Sequence, residues 1–369
     1  MIHYLVNNTQ FYNPYLAHHE SFNSGKPVEL YCNDAEYDLL DWTQEPEQSF
    51  EELMDLHAIN LRNKYERLIL PWSGGTDSQT IYNVFKRNNI HIDEILIRYS
   101  ADLSSPNPKE HVDWITKNHW DPTTVITPFE EYDKNIRQSQ FNDDEWIFKN
   151  YGNIHNKYYV SAGGGPEMIF LCEKNHGGHN WGAVIGLEKP FVSYRNGRWY
   201  AQQRDQLLLP AMGRPQVECF FLDPVLHLKQ NHMAKRVLKK FKNPVTEARY
   251  NGYYSSNPDA YRLWCQLIGR HDELTRGSSA HQKQSVIRIH SFIFDPTANI
   301  DTMDRTLMEP GLVQHIQNRD TTALNFVKGW HNLASEREFY RHLNENCFEM
   351  PNQILKFKST WSKEYDLGP

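Results

Sequence analysis

Cysteine is scarce and scattered in this sequence. Five residues (Cys32, Cys172, Cys219, Cys265 and Cys347) are spread over 369 positions, and no two form a CxxC pair. That spacing excludes a cysteine zinc ribbon and an iron–sulfur ligand set, and it fits a reducing compartment better than a disulfide framework. Long apolar runs are also missing, so no membrane-spanning helix is expected. The residues from Met1 to Asn8 lack the basic stretch and apolar stretch of a secretory leader, and the expectation is a cytoplasmic protein. Positive charge is in deficit. Lys and Arg number 39 against 46 Asp and Glu, a net charge of −7, which excludes a globally basic nucleic-acid coat. Two nucleotide-loop signatures, GxxxxGK[ST] and GxGxxG, are absent as well. There is no internal repeat and no low-complexity tract.

What the sequence does hold is aromatic bulk. Ten Trp, twenty Tyr and eighteen Phe can build a core from few, large side chains, although mean hydropathy is only −0.72. Residues 1–48 are polar, with one strand candidate at Val28–Cys32. From Ser49 the period changes. Phe50, Leu53, Met54, His57, Leu61 and Tyr65 recur at helical spacing, Ser49 is a candidate N-cap, and Glu51 and Glu52 suit the first turn. Arg67–Trp72 is a short apolar run of the kind buried in parallel sheets. Helix signals follow around Ile81–Phe85 and Lys109–Asn118. They alternate with strand signals at Ile92–Tyr99, Thr123–Thr127 and Ala183–Leu187. That alternation predicts a right-handed parallel α/β sheet. Beyond about residue 228 the pattern reads as mostly helical, with a basic amphipathic segment at Leu226–Phe241 and another helix at Asp259–Leu267.

Between the first of these strands and its helix stands Ser73-Gly74-Gly75-Thr76-Asp77-Ser78. Two glycines permit backbone conformations that let the main chain close around a ligand. Successive N–H groups and the positive end of the following helix then make an anion site suited to phosphate or pyrophosphate. Ser73 and Ser78 can donate to phosphate oxygens. Asp77 would repel a bare phosphate, so its presence asks for a bridging cation, with Mg²⁺ the natural candidate. The competing reading is a plain glycine turn, which would not need an Asp and two Ser around the glycines.

The motif Ser-Gly-Gly-x-Asp-Ser after the first parallel strand resembles the PP-loop of the ATP pyrophosphatase (adenine nucleotide alpha hydrolase-like) superfamily. All five fixed positions match, with Thr76 at the variable one. The resemblance covers residues 66–130 and extends loosely to 205. It implies an α/β fold with a parallel-sheet, HUP-like core, preceded by an N-terminal extension and followed by a mostly helical C-terminal region. It implies cleavage of ATP to AMP and pyrophosphate, with an adenylated carbonyl, carboxyl or base as intermediate. It further implies ATP and Mg²⁺ as cofactors. Ser73, Gly74, Gly75, Thr76, Asp77 and Ser78 would hold the phosphates, and the backbone of Ile97, Arg98 and Tyr99 would meet adenine. Asp77 would act near the metal. Ile2 rather than Cys follows Met1, so glutamine hydrolysis within this chain is not expected. The arrangement is most similar to PP-loop proteins of large viral genomes.

Other segments are secondary candidates. Gly186-Leu187-Glu188-Lys189-Pro190 follows a buried strand, where open α/β sheets bind ligands. Lys189 could neutralise charge on pyrophosphate and Glu188 could hold metal; the competing reading is a solvated ion pair at a strand exit. Gly163–Gly165 could form a second nest or a plain loop. Arg195, Arg198, Arg204 and Asp205 flank an aromatic stretch that could instead be a hairpin with solvated arginines. Cys172, His176 and His179 have a metal-compatible spacing without a fourth ligand. Gly269–Ser279 is dense in polar groups and could recognise an acceptor or simply join helices. Residues 229–242 carry six cations (Lys229, Lys235, Arg236, Lys239, Lys240 and Lys242) and no acid. They could meet nucleic-acid phosphates, or acids of the same chain.

The expected organisation is an N-terminal extension over 1–65, an ATP-binding domain over 66–228 and a helical substrate or partner region over 229–369. The expected function is ATP-dependent adenylation of a small-molecule or nucleotide substrate, with Asp77 and Lys189 catalytic and no membrane partner. A homodimer and a nucleic-acid contact through 229–242 are candidate assemblies. The alternative is a non-catalytic nucleotide- or nucleic-acid-binding module that keeps the loop.

Overall fold

A computed structural model describes residues 2–12, 14–72, 76–99, 112–113, 115–117, 119–130, 166–186, 190–203, 216–240, 249–250, 338, 342, 348–349, 356–357 and 360–369. The chain opens with a small antiparallel sheet of β1 (Ile2–Val6), β2 (Thr9–Phe11) and β3 (Glu29–Cys32), in the order β2-β1-β3. Asn7 and Asn8, with φ of 50° and 65°, make the two-residue turn between β1 and β2. Both positions need positive φ in a turn whose twist matches the strands, and Asn tolerates that conformation. Helix α1 (Pro14–Ser24) connects β2 to β3, and the short α2 (Asp34–Tyr37) follows. Only Val28–Cys32 of this sheet was legible in advance, because β1 is five residues long and β2 is a short polar strand with no buried residue.

Helix α3 (Phe50–Lys64) starts where the capping pattern predicts. Ser49 Oγ accepts from the Glu52 amide at 3.1 Å, and Glu52 Oε2 accepts from the Ser49 amide at 2.7 Å. This reciprocal pair satisfies two amides the helix cannot reach. Its apolar face, Phe50, Leu53, Met54, Ala58 and Leu61, is buried.

The centre of the molecule is a parallel sheet of five strands: β4 (Arg67–Trp72), β5 (Glu94–Tyr99), β6 (Val125–Glu130), β7 (Trp181–Ile185) and β10 (Val217–Cys219). Helix α4 (Thr76–Arg87) follows β4, and α5 (Pro166–His176) precedes β7. Alternate residues of the strands feed two cores. Leu68, Leu70, Trp72, Ile95, Ile97 and Val184 face α3 and α4, whereas Ile69, Leu96, Ala183 and Ile185 pack with α5 and the N-terminal sheet. Gly182 is required here. A Cβ on it would lie 2.5 Å from the Tyr65 ring, so the absence of a side chain lets α3 seat against β7.

Two buried acids, Asp93 just before β5 and Glu94 at its first position, point to opposite faces. Asp93 accepts from Arg62 and Arg67 at 2.7 Å each and from the Leu68 amide at 2.8 Å. Glu94, 1% exposed, accepts from Asn175 at 2.8 Å and from Thr127, and pairs with His176 at 2.7 Å. These bonds tie α3 and α5 to the sheet without leaving either charge unpaired.

A second sheet is antiparallel, in the order β11-β8-β9-β14: β8 (Phe191–Arg195), β9 (Arg198–Gln202), β11 (Arg249–Tyr250) and β14 (Tyr365–Gly368). Asn196 and Gly197, with φ of 50° and 75°, turn β8 into β9. A separate pair is formed by β12 (Phe348–Glu349) and β13 (Lys356–Phe357). Helix α6 (Pro224–Lys240) packs on α3 and β8. The division placed at 228/229 therefore falls inside one helix, and β14 completes a sheet begun by β8 and β9. The helix expected at Asp259–Leu267 lies outside the described residues, as does most of the C-terminal region.

Candidate nucleotide site

Chain order and spatial order part at β4. The chain runs outward through β5 and β6, then returns to place β7 on the other side of β4, with β10 beyond it. Such a reversal leaves a crevice at the carboxyl ends of the two strands that flank it, here β4 and β7. The segment 73–75 joins the carboxyl end of β4 to the first residue of α4, so the Ser-Gly-Gly motif spans this crevice position. Residues 187–189 leave β7 next door through Gly186. On the other flank, Trp72 is in register with Ile97, followed in β5 by Arg98 and Tyr99. Three segments far apart in sequence thus leave neighbouring strand ends on one edge of the sheet.

Of the predicted residues, Ser78 lies in the first turn of α4 and is buried, 5% exposed. Ile97 is fully buried in the core, which leaves its backbone as the part able to meet a ligand. Thr76 and Asp77 are the first two residues of α4, where the helix dipole is positive, and Lys86 and Arg87 occupy its last turn. Arg87 is held by Asp55 at 2.6 Å and Glu51 at 3.2 Å, fixing that end of α4 to α3. The side chains of Thr76, Asp77, Arg98 and Tyr99 lie outside the described residues, as do Ser73, Gly74, Gly75, Glu188 and Lys189 entirely. The same holds for Gly163–Gly165, Arg204, Asp205 and 269–279. Among the described residues no group of three His, Cys, Asp or Glu is placed to hold a metal ion. The donors expected for Mg²⁺, the Asp77 and Glu188 carboxylates, follow adjacent strands. One or two carboxylates with phosphate oxygens match the preference of that ion.

The other candidates separate. Cys172, His176 and His179 do not converge. The Cys172 thiol is buried and burial pushes its pKa up, His176 is bound to Glu94, and His179 pairs with Glu66 at 3.4 Å. Arg195 and Arg198 belong to a hairpin and pair with Glu364 and Asp366 of the C-terminal segment. The first half of α6 is turned inward. Residues 226–234 are all buried, Lys229 included. Lys229 pairs with Glu45 at 2.8 Å and Arg236 with the same Glu45. Lys235 and Lys239 donate to the carbonyls of Leu367 and Pro369 at 2.5 and 2.9 Å. Four of its six cations are thus held by partners within the chain, because Glu45 and the C-terminal strand pack against this helix.

Sequence reasoning missed the polar core behind α6. His227 accepts at Nε2 from the amides of Gln203 and Asn231, at 2.5 and 3.1 Å, and its Nδ1–H donates to the Phe221 carbonyl at 3.2 Å. Burial pushes its pKa down to about 4, so the imidazole is neutral. Nothing in the local sequence distinguishes this His from a surface one.

No family model and no curated protein matches the chain. No helix among the described residues is long and apolar enough to cross a membrane.

Proposed function

We propose that this protein is an AMP-forming, ATP-dependent adenylating enzyme with its site at the carboxyl edge of β4 and β7. One observation carries the reading: Ser73-Gly74-Gly75-Thr76-Asp77-Ser78 occupies the connection at which the strand order of a five-stranded parallel sheet reverses. A glycine turn elsewhere in a fold has no need to be there; an anion-binding loop does.

In this proposal the backbone N–H groups of 73–75 and the amino end of α4 cradle the β,γ-pyrophosphate, with Ser78 donating a hydroxyl hydrogen bond. Ile97, Arg98 and Tyr99 meet adenine by their backbone, one strand away. Asp77 and Glu188 hold Mg²⁺, which when bound neutralises charge on the phosphates. Lys189 offsets the charge that develops on departing pyrophosphate. A carbonyl or carboxyl oxygen of the acceptor, a small molecule or a nucleotide base, attacks the α-phosphorus as the bond to pyrophosphate breaks. Catalysis is then positioning and electrostatics.

The test is to incubate the protein with ATP, Mg²⁺ and pools of candidate acceptors, and to resolve AMP from ADP. AMP and pyrophosphate are expected, with turnover lowered about a hundredfold by Asp77→Asn or Lys189→Ala. ADP and phosphate as products would overturn α,β cleavage. ATP binding without AMP in any pool would identify a non-catalytic nucleotide-binding module. Unchanged ATP binding in Asp77→Ala would remove the loop assignment itself.

A further inference from the structure

A cleft of about 490 Å³ lies away from the crevice just described, along the outer edge of β10. This strand ends the parallel sheet, and among the described residues nothing pairs with its open side. The cleft wraps that edge. One wall is α3, through Asn60 and Lys64; the other is the N-terminal unit, through Asn33 and Glu36; Val217 and Glu218 lie between. The parallel register fixes where the backbone points. Val217 is opposite Ala183, whose amide donates to the Gln216 carbonyl at 2.8 Å. Ala183 therefore bonds the residues either side of Val217, and the N–H and C=O of Val217 itself turn away from β7 into the cleft.

An open strand edge of this kind is a template for another strand. The three residues of β10 offer about 10 Å of edge. The charge of the cleft is one-sided. Glu36, Glu218 and Asp223 line it against one lysine and one histidine; Lys64 is bound to Glu218 at 2.5 Å and His57 pairs with Asp223 at 3.2 Å. The Glu36 carboxylate makes no hydrogen bond or ion pair among the described residues.

We propose that this cleft is a docking site for an extended, lysine- or arginine-bearing peptide segment of a partner protein, added to the sheet as a strand beside β10. Main-chain bonds to Val217 supply the register, and Glu36 meets a basic side chain. This site is independent of the nucleotide crevice, which lies at the carboxyl ends of other strands.

The experiment uses the full chain and a fluorescein-labelled peptide of alternating valine and lysine, followed by anisotropy. A version with glutamate in place of lysine is the charge control. Val217→Pro removes only the N–H that faces the cleft, because the bonds to β7 belong to its neighbours. Val217→Pro is expected to weaken binding about fivefold to tenfold, the worth of one backbone hydrogen bond. Glu36→Lys, on an exposed helix turn, is expected to weaken it about threefold without touching β10. Circular dichroism of both variants confirms the fold. Three results overturn the proposal: no binding by the unmodified chain, equal binding of the glutamate peptide, or undiminished binding by Val217→Pro with Glu36→Lys also silent. A dimer in sedimentation that Val217→Pro dissolves would assign the edge to a second copy of this chain instead.

Discussion

Protonating His227 is a perturbation this fold is badly placed to absorb. The imidazole is 1% exposed, stacked on Tyr37 at 5.6 Å and met edge-on by Trp42 at 6.1 Å. Its Nε2 faces two amide donors, and Gln230 and Asp223 are the remaining polar groups acting on it. Burial lowers the pKa from 6.5 to about 4, against smaller opposing effects of the Phe221 carbonyl, Gln230 and Asp223. The unfolded chain then binds a proton that the folded chain refuses, so stability is complete above pH 6.5 and drains away as pH falls toward 4. The loss is about 2 kcal/mol at about pH 5 and about 3 kcal/mol once pH is below the folded value. A turn of the Gln203 amide would return one hydrogen bond, so these figures are ceilings. His227→Gln keeps an acceptor for the two amides but cannot titrate. Urea unfolding followed by tryptophan fluorescence at neutral pH and near pH 5 should show the unmodified protein losing about 2 kcal/mol more than the variant. Equal losses in the two proteins would refute the reasoning, since the neutral imidazole would then carry no linkage.

Two further outcomes follow from packing and charge. Gly182→Ala would push a Cβ to 2.5 Å from the Tyr65 ring, and thermal unfolding should show a loss of about 1–3 kcal/mol; shortening Tyr65 to Leu in the same chain should return part of it. Asp93 is the second case. Burial alone would raise its pKa, but Arg67, the Leu68 amide and Arg62 outweigh that and hold it below 3.8. Its contribution is therefore present above that value and lost as pH falls through the lower folded value. Asp93→Ala should cost about 1–3 kcal/mol at neutral pH by denaturant titration, because it leaves the buried Leu68 amide without its acceptor and removes the carboxylate shared by Arg62 and Arg67, and should flatten the acid limb of the stability curve.

Much of the central sheet was legible from short-range signals. Arg67–Trp72 is an apolar run bounded by a helix and a glycine turn, and it forms β4 with the expected limits. Ser49, Glu52 and the apolar period after them define α3, since a cap and a helical face are both local properties. Strands β5, β6 and β7 were found within a few residues, because buried parallel strands carry continuous apolar stretches. The N-terminal sheet was not legible. Its strands are three to five residues long, and β2 carries no buried residue to signal it. The inward turn of α6 was open for a different reason. A row of lysines reads the same whether its partners are solvent, phosphate or Glu45, and Glu45 lies 184 residues away from Lys229 in the chain.

By itself the sequence determined the identity and local setting of the Ser-Gly-Gly-Thr-Asp-Ser loop: strand before it, helix after it, and a donor set suited to phosphate. Conformation at a glycine turn and at a helix start is set by residues a few positions apart, so it survives in a string of letters. Only the tertiary structure decided that this loop stands where the strand order reverses, with the ends of β7 and β5 on either side. It alone decided that β10 keeps an unpaired side among the described residues and that four cations of the basic segment are held by partners within the chain. Those outcomes depend on which distant strands pair, and that depends on the whole set of buried faces rather than on any segment.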